Sequence, residues 1–310
     1  MKRREFLTRT GLACGAACLL EPELLFGSAG DGKPLLRFGM VTDLHYATLP
    51  VAKGNAPIGD RYYRDSCVKL REAVRVLNEL RPDFMLELGD FKDLSPDKET
   101  TLACLREIES VFSGFSGDRY HVLGNHDLDC LTKEEFLANI RNAGQSQALP
   151  HYAFQKNGVT CVVLDACYNA KYEPYRPGNW RWEEAYIPPA ELRWLETTLQ
   201  EAAGPVLVFG HQRLDPNAEP RHEVRNAKQV RAVLAKSGKV KAVFTGHEHF
   251  GGTCELDGIP YYSLRALVVG AAAKSNSYAL GELYPDGKVC VKGYRWAEDF
   301  TARKLVPWKD

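Results

Sequence analysis

Net charge is missing from this chain: across 310 residues, 40 Lys and Arg balance 40 Asp and Glu. That absence argues against a bulk polyanion, whether nucleic acid or an anionic membrane, although a neutral chain can still carry a local charged site. Paired cysteine spacing is missing as well. Beyond residue 30 stand Cys67, Cys104, Cys130, Cys161, Cys167, Cys254 and Cys290, an odd set without C-x-x-C. This excludes a zinc ribbon and a disulfide scaffold, and leaves most of these thiols as small buried apolar groups. Internal repeats and low-complexity linkers are absent too. The uncharged stretch Thr10–Leu20 is too short to span a bilayer. What remains is ordinary globular composition, 45% hydrophobic and 26% charged, enough for one large α/β domain or two small ones.

The first 29 residues read differently from the rest. A basic KRREFLTRT is followed by small and apolar residues and then by FGSAGDGKP, the parts of a secretory signal. Arg3-Arg4-x-Phe6-Leu7 resembles the twin-arginine export signal, which carries folded proteins. Residues 1–29 are therefore expected to be an export signal and 30–310 a single domain, delivered to the periplasm or cell surface. Two alternatives stay open: an amphipathic helix of a cytosolic protein, and a lipid anchor at Cys14 or Cys18, the one route to a membrane. Neither cysteine has the Leu three residues before it that lipid attachment prefers. Removing residues 1–29 takes away four basic and three acidic side chains and leaves a formal charge of −1.

Six short apolar runs then end abruptly in polar clusters, at 35–45, 84–93, 120–127, 160–169, 205–212 and 241–249. Their length suits strands buried on both faces. Between them, helical spacing of apolar residues predicts helices over 64–80, 98–113, 189–202 and 226–238, the first stopping before Pro82 and the last at Gly238. Alternating strands and helices point to a layered α/β domain with a mixed sheet. The tail, with GIPYYSLRAL and a Pro-Asp-Gly turn at 285–287, reads as β-hairpins.

Ligands in such sheets gather beyond the C-terminal ends of strands. The runs end in Asp43-x-His45, Gly89-Asp90-x-x-Asp93, Gly124-Asn125-His126-Asp127, Gly210-His211 and Gly246-His247-x-His249, and the fourth run adds Asp165. Carboxylates, an amide oxygen and imidazoles are the donors that hard or borderline divalent metals take. Asp43 and His45 are alternate residues, as are His247 and His249, so each pair can point one way. The glycines before Asp90, Asn125, His211 and His247 would let the backbone turn sharply. Any one cluster could be a hydrogen-bonded cap or a turn; five in succession point to a metal site.

This series resembles the calcineurin-like metallophosphoesterase superfamily, over roughly residues 36–295. The resemblance implies a four-layer αββα sandwich, two mixed sheets flanked by helices, around a two-metal centre. It places Asp43, His45, Asp90 and His249 on the first metal and Asp90, Asn125, His211 and His247 on the second, with Asp90 and a hydroxide bridging them. Two such cations activate the shared water and offset charge on the phosphoryl oxygens during in-line attack. His126 is then the candidate general acid. Asp93 would hold that imidazole, with Asp127 as rival for the task or as a plain turn residue. The donors suit Mn, Fe, Zn or Co, and no Tyr follows the G-D-x-x motif to form an iron–tyrosinate centre.

Arg61, Tyr62, Tyr63 and Arg64, in RYYRDS, together with the tail PDGKVCVKGY, are similar to the manganese-dependent ADP-ribose/CDP-alcohol diphosphatase branch. These four residues are candidate substrate contacts, with Lys92 and Arg265 behind them. Residues 167–187 hold Tyr168, Tyr172, Tyr175, Trp180, Trp182 and Tyr186, which either stack on a nucleobase or pack a long loop. The expected activity is a dimetal phosphoric ester hydrolase acting on small phosphodiesters or nucleoside diphosphate derivatives. Its rivals are a broad phosphomonoesterase and an exported binding protein on a degenerate hydrolase fold. No nucleic-acid partner is expected.

Overall fold

The computed structural model describes residues 32–54 and 59–301, and those from Lys33 onward belong to one compact unit, Lys33–Asp310. The expected export signal, residues 1–29, and the candidate lipid-attachment cysteines Cys14 and Cys18 lie outside the described residues. Twelve strands are described: β1 Leu36–Val41, β2 Phe84–Glu87, β3 Asp118–His121, β4 Tyr152–Lys156, β5 Val159–Val163, β6 Val206–Phe209, β7 Val240–Thr245, β8 Gly252–Leu256, β9 Ile259–Ser263, β10 Ser277–Leu283, β11 Val289–Arg295 and β12 Phe300–Thr301. The helices are α1 Ser66–Leu80, α2 Lys98–Phe112, α3 Lys133–Leu137, α4 Pro189–Glu201 and α5 Ala227–Ser237.

The strands form two six-stranded mixed sheets, β12-β11-β10-β1-β2-β3 and β4-β5-β6-β7-β9-β8. Within the first, β1, β2 and β3 run parallel. Within the second, β5, β6, β7 and β9 do so. Period-two alternation builds the layers. Phe38 and Met40 of β1, Phe84 and Leu86 of β2, Cys161 and Val163 of β5, and Leu207 and Phe209 of β6 meet in one core between the sheets. Their neighbours face outward: Val41 and Met85 meet Leu70, Leu77, Leu105 and Ile108 of α1 and α2. On the far side, Val162, Val206 and Val208 meet Leu195, Leu199, Val230 and Leu234 of α4 and α5. The result is the αββα sandwich, with two sheets where the apolar runs alone pointed to a mixed sheet.

Two edge strands escape the apolar-run reading. β4 and β8 pack one face only and alternate exposed positions with buried or half-buried ones, so no continuous apolar run marks them. Helix α3 is five residues long and is held by a capping box between Thr132 and Glu135. The long helices end where their sequences stop them: α1 at Arg81, in a left-handed conformation before Pro82, and α5 at Gly238.

Candidate metal centre

Both sheets point the C-terminal ends of parallel strands at one place. The segment after β1 stays locked to the segment after β2, with Asp43 N–H donating to Gly89 O at 3.0 Å and His45 N–H to Asp90 O at 2.8 Å. From the other side, Leu267 and Val268 donate to Thr42 O and Asp43 O, and Ala266 to His249 O. The backbone carrying the polar side chains is thus held on both flanks.

Asp43, His45, Asp90 and His247 all have positive φ, at 50°, 46°, 55° and 68°. Non-glycine residues in this region are strained, and four of them at one site mark a geometry held by its surroundings. Three of the four glycines do not make the expected turn. Of the four, only Gly89 has positive φ. Gly124 and Gly246 are required by close approach, since a Cβ would collide with the Asp90 amide in one case and the Thr42 hydroxyl in the other.

Three sets of ligand atoms converge among the described residues: Asp43, His45 and His249; Asp90, His211 and His247; and His45, Asp93 and His126. In the first set, Asp43 Oδ2 accepts from Thr42 Oγ1 at 2.8 Å and from His247 N–H at 3.0 Å. That leaves Oδ1, 3.7 Å from His45 Nε2 and 3.5 Å from His249 Nε2. In the second, His211 Nδ1 donates to Leu88 O at 2.8 Å, which aims Nε2 at Asp90 Oδ2, 3.2 Å away. Asp90 Oδ1 accepts His126 N–H at 2.7 Å, and its Oδ2 also lies 3.5 Å from His45 Nε2. Asp90 therefore stands between the two clusters. His247 and His249, two residues apart, serve different clusters.

The donor set fits a pair of divalent cations. Asp43 Oδ1, Asn125 Oδ1, His211 Nε2 and His247 Nε2 are buried without a hydrogen-bond partner. So many orphaned lone pairs in one buried place would be costly unless a cation took them. Electrostatics point the same way. Burial pushes the Asp43 carboxyl up, but the neighbouring His249 and His45 imidazoles outweigh it and hold it well below the usual range. Burial raises Asp90 too, and the charge of His211 and then of His126 overcomes it. Burial pushes His249 down to about 4 against Asp43, keeping it neutral for ligation.

Asp93 reaches two imidazoles, with Oδ2 3.1 Å from His45 Nδ1 and Oδ1 3.4 Å from His126 Nδ1. A second carboxylate faces His126, and it is Asp129, 3.8 Å away, not Asp127. Asp127 instead braces the ligand loop, accepting N–H groups from Asp90, Phe91, Lys92 and Gly124. Asp129 escaped sequence reading because it lies outside the recurring motif. His126 keeps 20% of its side chain exposed, and burial, which lowers its pKa, is outweighed by Asp93 and Asp90, so it sits well above the ordinary histidine value.

The candidate substrate residues do not act as one patch. Tyr63 is 7% exposed and packs in a cluster with Ala47, Ala266, Val268 and Val269. The Arg64 guanidinium donates to Thr48 O at the surface. Tyr62 donates its N–H to Val268 O. Arg61 pairs in short bridges with Ala52 and Val269, and its charge opposes protonation of His249. Lys92 is corrected outright: it is fully buried and bonds His126 O and Asp129, so it cannot meet a substrate. Arg265 stacks on Trp296. Asp165, at the end of β5, is taken by a buried ion pair with Lys133. Within residues 167–187, Tyr175 is buried and packs the loop down, whereas Trp180 lies 5.1 Å from the His126 ring and Trp182 6.2 Å from His247.

Two parallel sheet edges converging on paired carboxylate–imidazole clusters define a class, the dimetal phosphoesterases. The sequence profile of the calcineurin-like phosphoesterases matches residues 36–251, and the chain belongs to that family. It is a metal-dependent phosphoesterase whose cofactors are divalent metal ions. It is similar to a manganese-dependent ADP-ribose/CDP-alcohol diphosphatase of Arabidopsis thaliana, 27% identical over 278 residues, covering 77% of this chain and 88% of that one. A protein of the same name from Oryza sativa subsp. japonica is 26% identical over 314 residues, covering 87% and 95%. The fold matches a dimetal phosphatase from Danio rerio with a TM-score of 0.76 at 23% identity, covering 87% of this chain and 99% of that one.

Proposed function

We propose that this chain hydrolyses the diphosphate linkage of nucleoside diphosphate derivatives of the ADP-ribose and CDP-alcohol type, with manganese as its metal. The observation that carries the reading is Asp90, whose Oδ2 lies between His211 of one cluster and His45 of the other. One shared carboxylate between two imidazole sets suits two cations side by side. When bound, such a pair supplies positive charge to the phosphoryl oxygens and lowers the pKa of a water. The substrate class draws support from the names of the relatives, which align over most of both chains.

The protein's own groups complete the chemistry. His126, charged between Asp93 and Asp129, holds a proton beside the metal ligands and can deliver it to the leaving phosphate oxygen. Trp180 and Trp182 offer flat aromatic faces beside His126 and His247, suited to a nucleobase. Arg221 lies over the Trp182 ring at 5.2 Å, a cation on the same loop face that a phosphate of the substrate could meet.

The test is turnover of ADP-ribose, CDP-alcohols, cyclic nucleotides and aryl mono- and diesters by the manganese-loaded protein. Preference for the diphosphates supports the reading. Preference for monoesters would replace it with a broad phosphomonoesterase, and turnover of none would leave a binding protein. The site of action is proposed to lie outside the cytoplasm, on the strength of Arg3-Arg4-x-Phe6-Leu7. Fractionation of cells expressing the wild type and a variant with both arginines changed to lysine tests it; equal retention of both inside would end that part.

A further inference from the structure

We propose that Arg213 and Glu248 are positioning residues for the metal centre, acting through one buried guanidinium that ties two ligand loops together. Arg213 lies two residues past His211, at the end of β6. Glu248 lies between His247 and His249, at the end of β7. The guanidinium donates from Nε and Nη2 to the two oxygens of Asp215, at 2.8 and 2.7 Å, and from Nη1 to Glu248. The three side chains are enclosed, with Arg213 3%, Asp215 1% and Glu248 3% exposed. Asp215 clamps the planar fork side-on, so Nη1 is presented as a fixed anchor.

Glu248 docks on that anchor and thereby fixes the turn that carries His247 and His249. Backbone bonds tighten the turn around it, Glu248 N–H to Gly246 O at 2.8 Å and Gly251 N–H to Glu248 O at 2.7 Å. Glu248 turns to Arg213 while its two neighbours enter the site, His247 in one cluster and His249 in the other, so the anchored side chain sits at the point where the two ligands part. His247 also needs the holding force, since its φ is 68°. Arg213 is itself fixed on the backbone, donating to His222 O and accepting from Val224 N–H. One guanidinium therefore sets the spacing among His211, His247 and His249.

Stability alone gives a poor account of the arrangement. A buried ion network is often no more stabilising than apolar side chains of the same volume. A Cβ on Gly252 would come 3.1 Å from Nη1, so the chain closes over the guanidinium at the start of β8. Orientation of ligands is the function that this geometry serves, and residues that orient ligands change metal affinity or activity by about ten- to a hundredfold when lost.

Manganese titrated calorimetrically into the metal-free full chain is the test, with kcat and KM measured separately. Glu248→Ala is expected to weaken manganese binding by about ten- to a hundredfold and to lower kcat more than it raises KM. Glu248→Gln keeps an acceptor oxygen for Nη1 and is expected to restore most of the affinity. Arg213→Lys, which keeps the charge and loses the fork, is expected to behave like Glu248→Ala, and replaces it if that variant does not fold. A folded Glu248→Ala or Arg213→Lys protein with wild-type manganese constants overturns the proposal, even if it melts lower. So does a Glu248→Gln protein as impaired as Glu248→Ala.

Discussion

His45 and His249, 204 residues apart in sequence, face one another Nε2 to Nε2 across 3.1 Å. His45 Nδ1 faces Asp93 Oδ2 at 3.1 Å, so Nε2 is the nitrogen turned to His249, and two nitrogens at that separation require a proton or a cation between them. A cation bound there is tied to the folded state alone. Manganese at about a hundredfold its Kd should stabilise the protein by about 3 kcal/mol. Thermal denaturation with manganese and with a chelator checks this, and coincident curves would dispose of it.

Asp90 is the carboxylate that both clusters share, and its loss should affect both. Several kcal/mol of charge stabilisation depends on the metals, so Asp90→Asn should lower kcat by about a thousandfold or more. Manganese stoichiometry from the same preparation provides the control. A variant that keeps both ions and near-normal turnover would refute the sharing.

His126 separates from the ligands by leaving group. His126→Gln should cost about a hundred- to ten-thousandfold in kcat, with manganese affinity near wild type. The loss should shrink on an aryl diester whose leaving group needs no proton. Asp93→Asn should damage both properties, because Asp93 faces His45 as well as His126. An equal loss on every substrate for His126→Gln would remove its role as acid.

Away from the metals, His121 is wedged between Glu87, at 3.0 Å, and Glu109, at 3.1 Å. Burial lowers its pKa, but Glu109 and then Glu87 outweigh that and raise it to about 9. The folded value exceeds the unfolded one, near 6.5. Its stabilisation is therefore complete below that value and fades as pH rises towards about 9. The melting temperature of metal-free protein should fall across that window, and His121→Gln should flatten the slope. An unchanged slope would show that another group titrates.

The aromatic loop and the RYYR stretch predict opposite results. Trp182→Ala should raise KM for a nucleotidic diphosphate by roughly five- to a hundredfold, the worth of one base stack, and leave a small aryl diester unaffected. Tyr63→Phe should leave KM unchanged, since its ring is buried among Ala47, Val268 and Val269. Reversal of the two results would move the base to the other side of the site.

Much of the fold was legible because it is written locally. An apolar run such as 205–212 shows a strand wherever it ends up, and the spacing of Leu70, Val74 and Leu77 shows a helix face. The edge strands β4 and β8 were not legible, because a strand packed on one face leaves only a short alternation. Arg213 and Glu248 stand next to the motifs, yet nothing in the sequence pairs two residues 35 apart. Tyr63 misled for the same reason: an aromatic ring looks alike in a pocket and in a core.

By itself, the sequence determined which donor atoms exist and at which strand ends they stand, since residue identity and the length of an apolar run are local properties. Tertiary structure decided the rest. It sent His247 and His249 to different clusters and put Asp90 between them, which the family resemblance implied but residue spacing alone did not, and it turned Asp127 away from His126 onto the backbone of the 90–92 loop. Those outcomes depend on side-chain direction, which at Asp90 and His247 goes with strained positive φ angles that the surrounding packing has to hold.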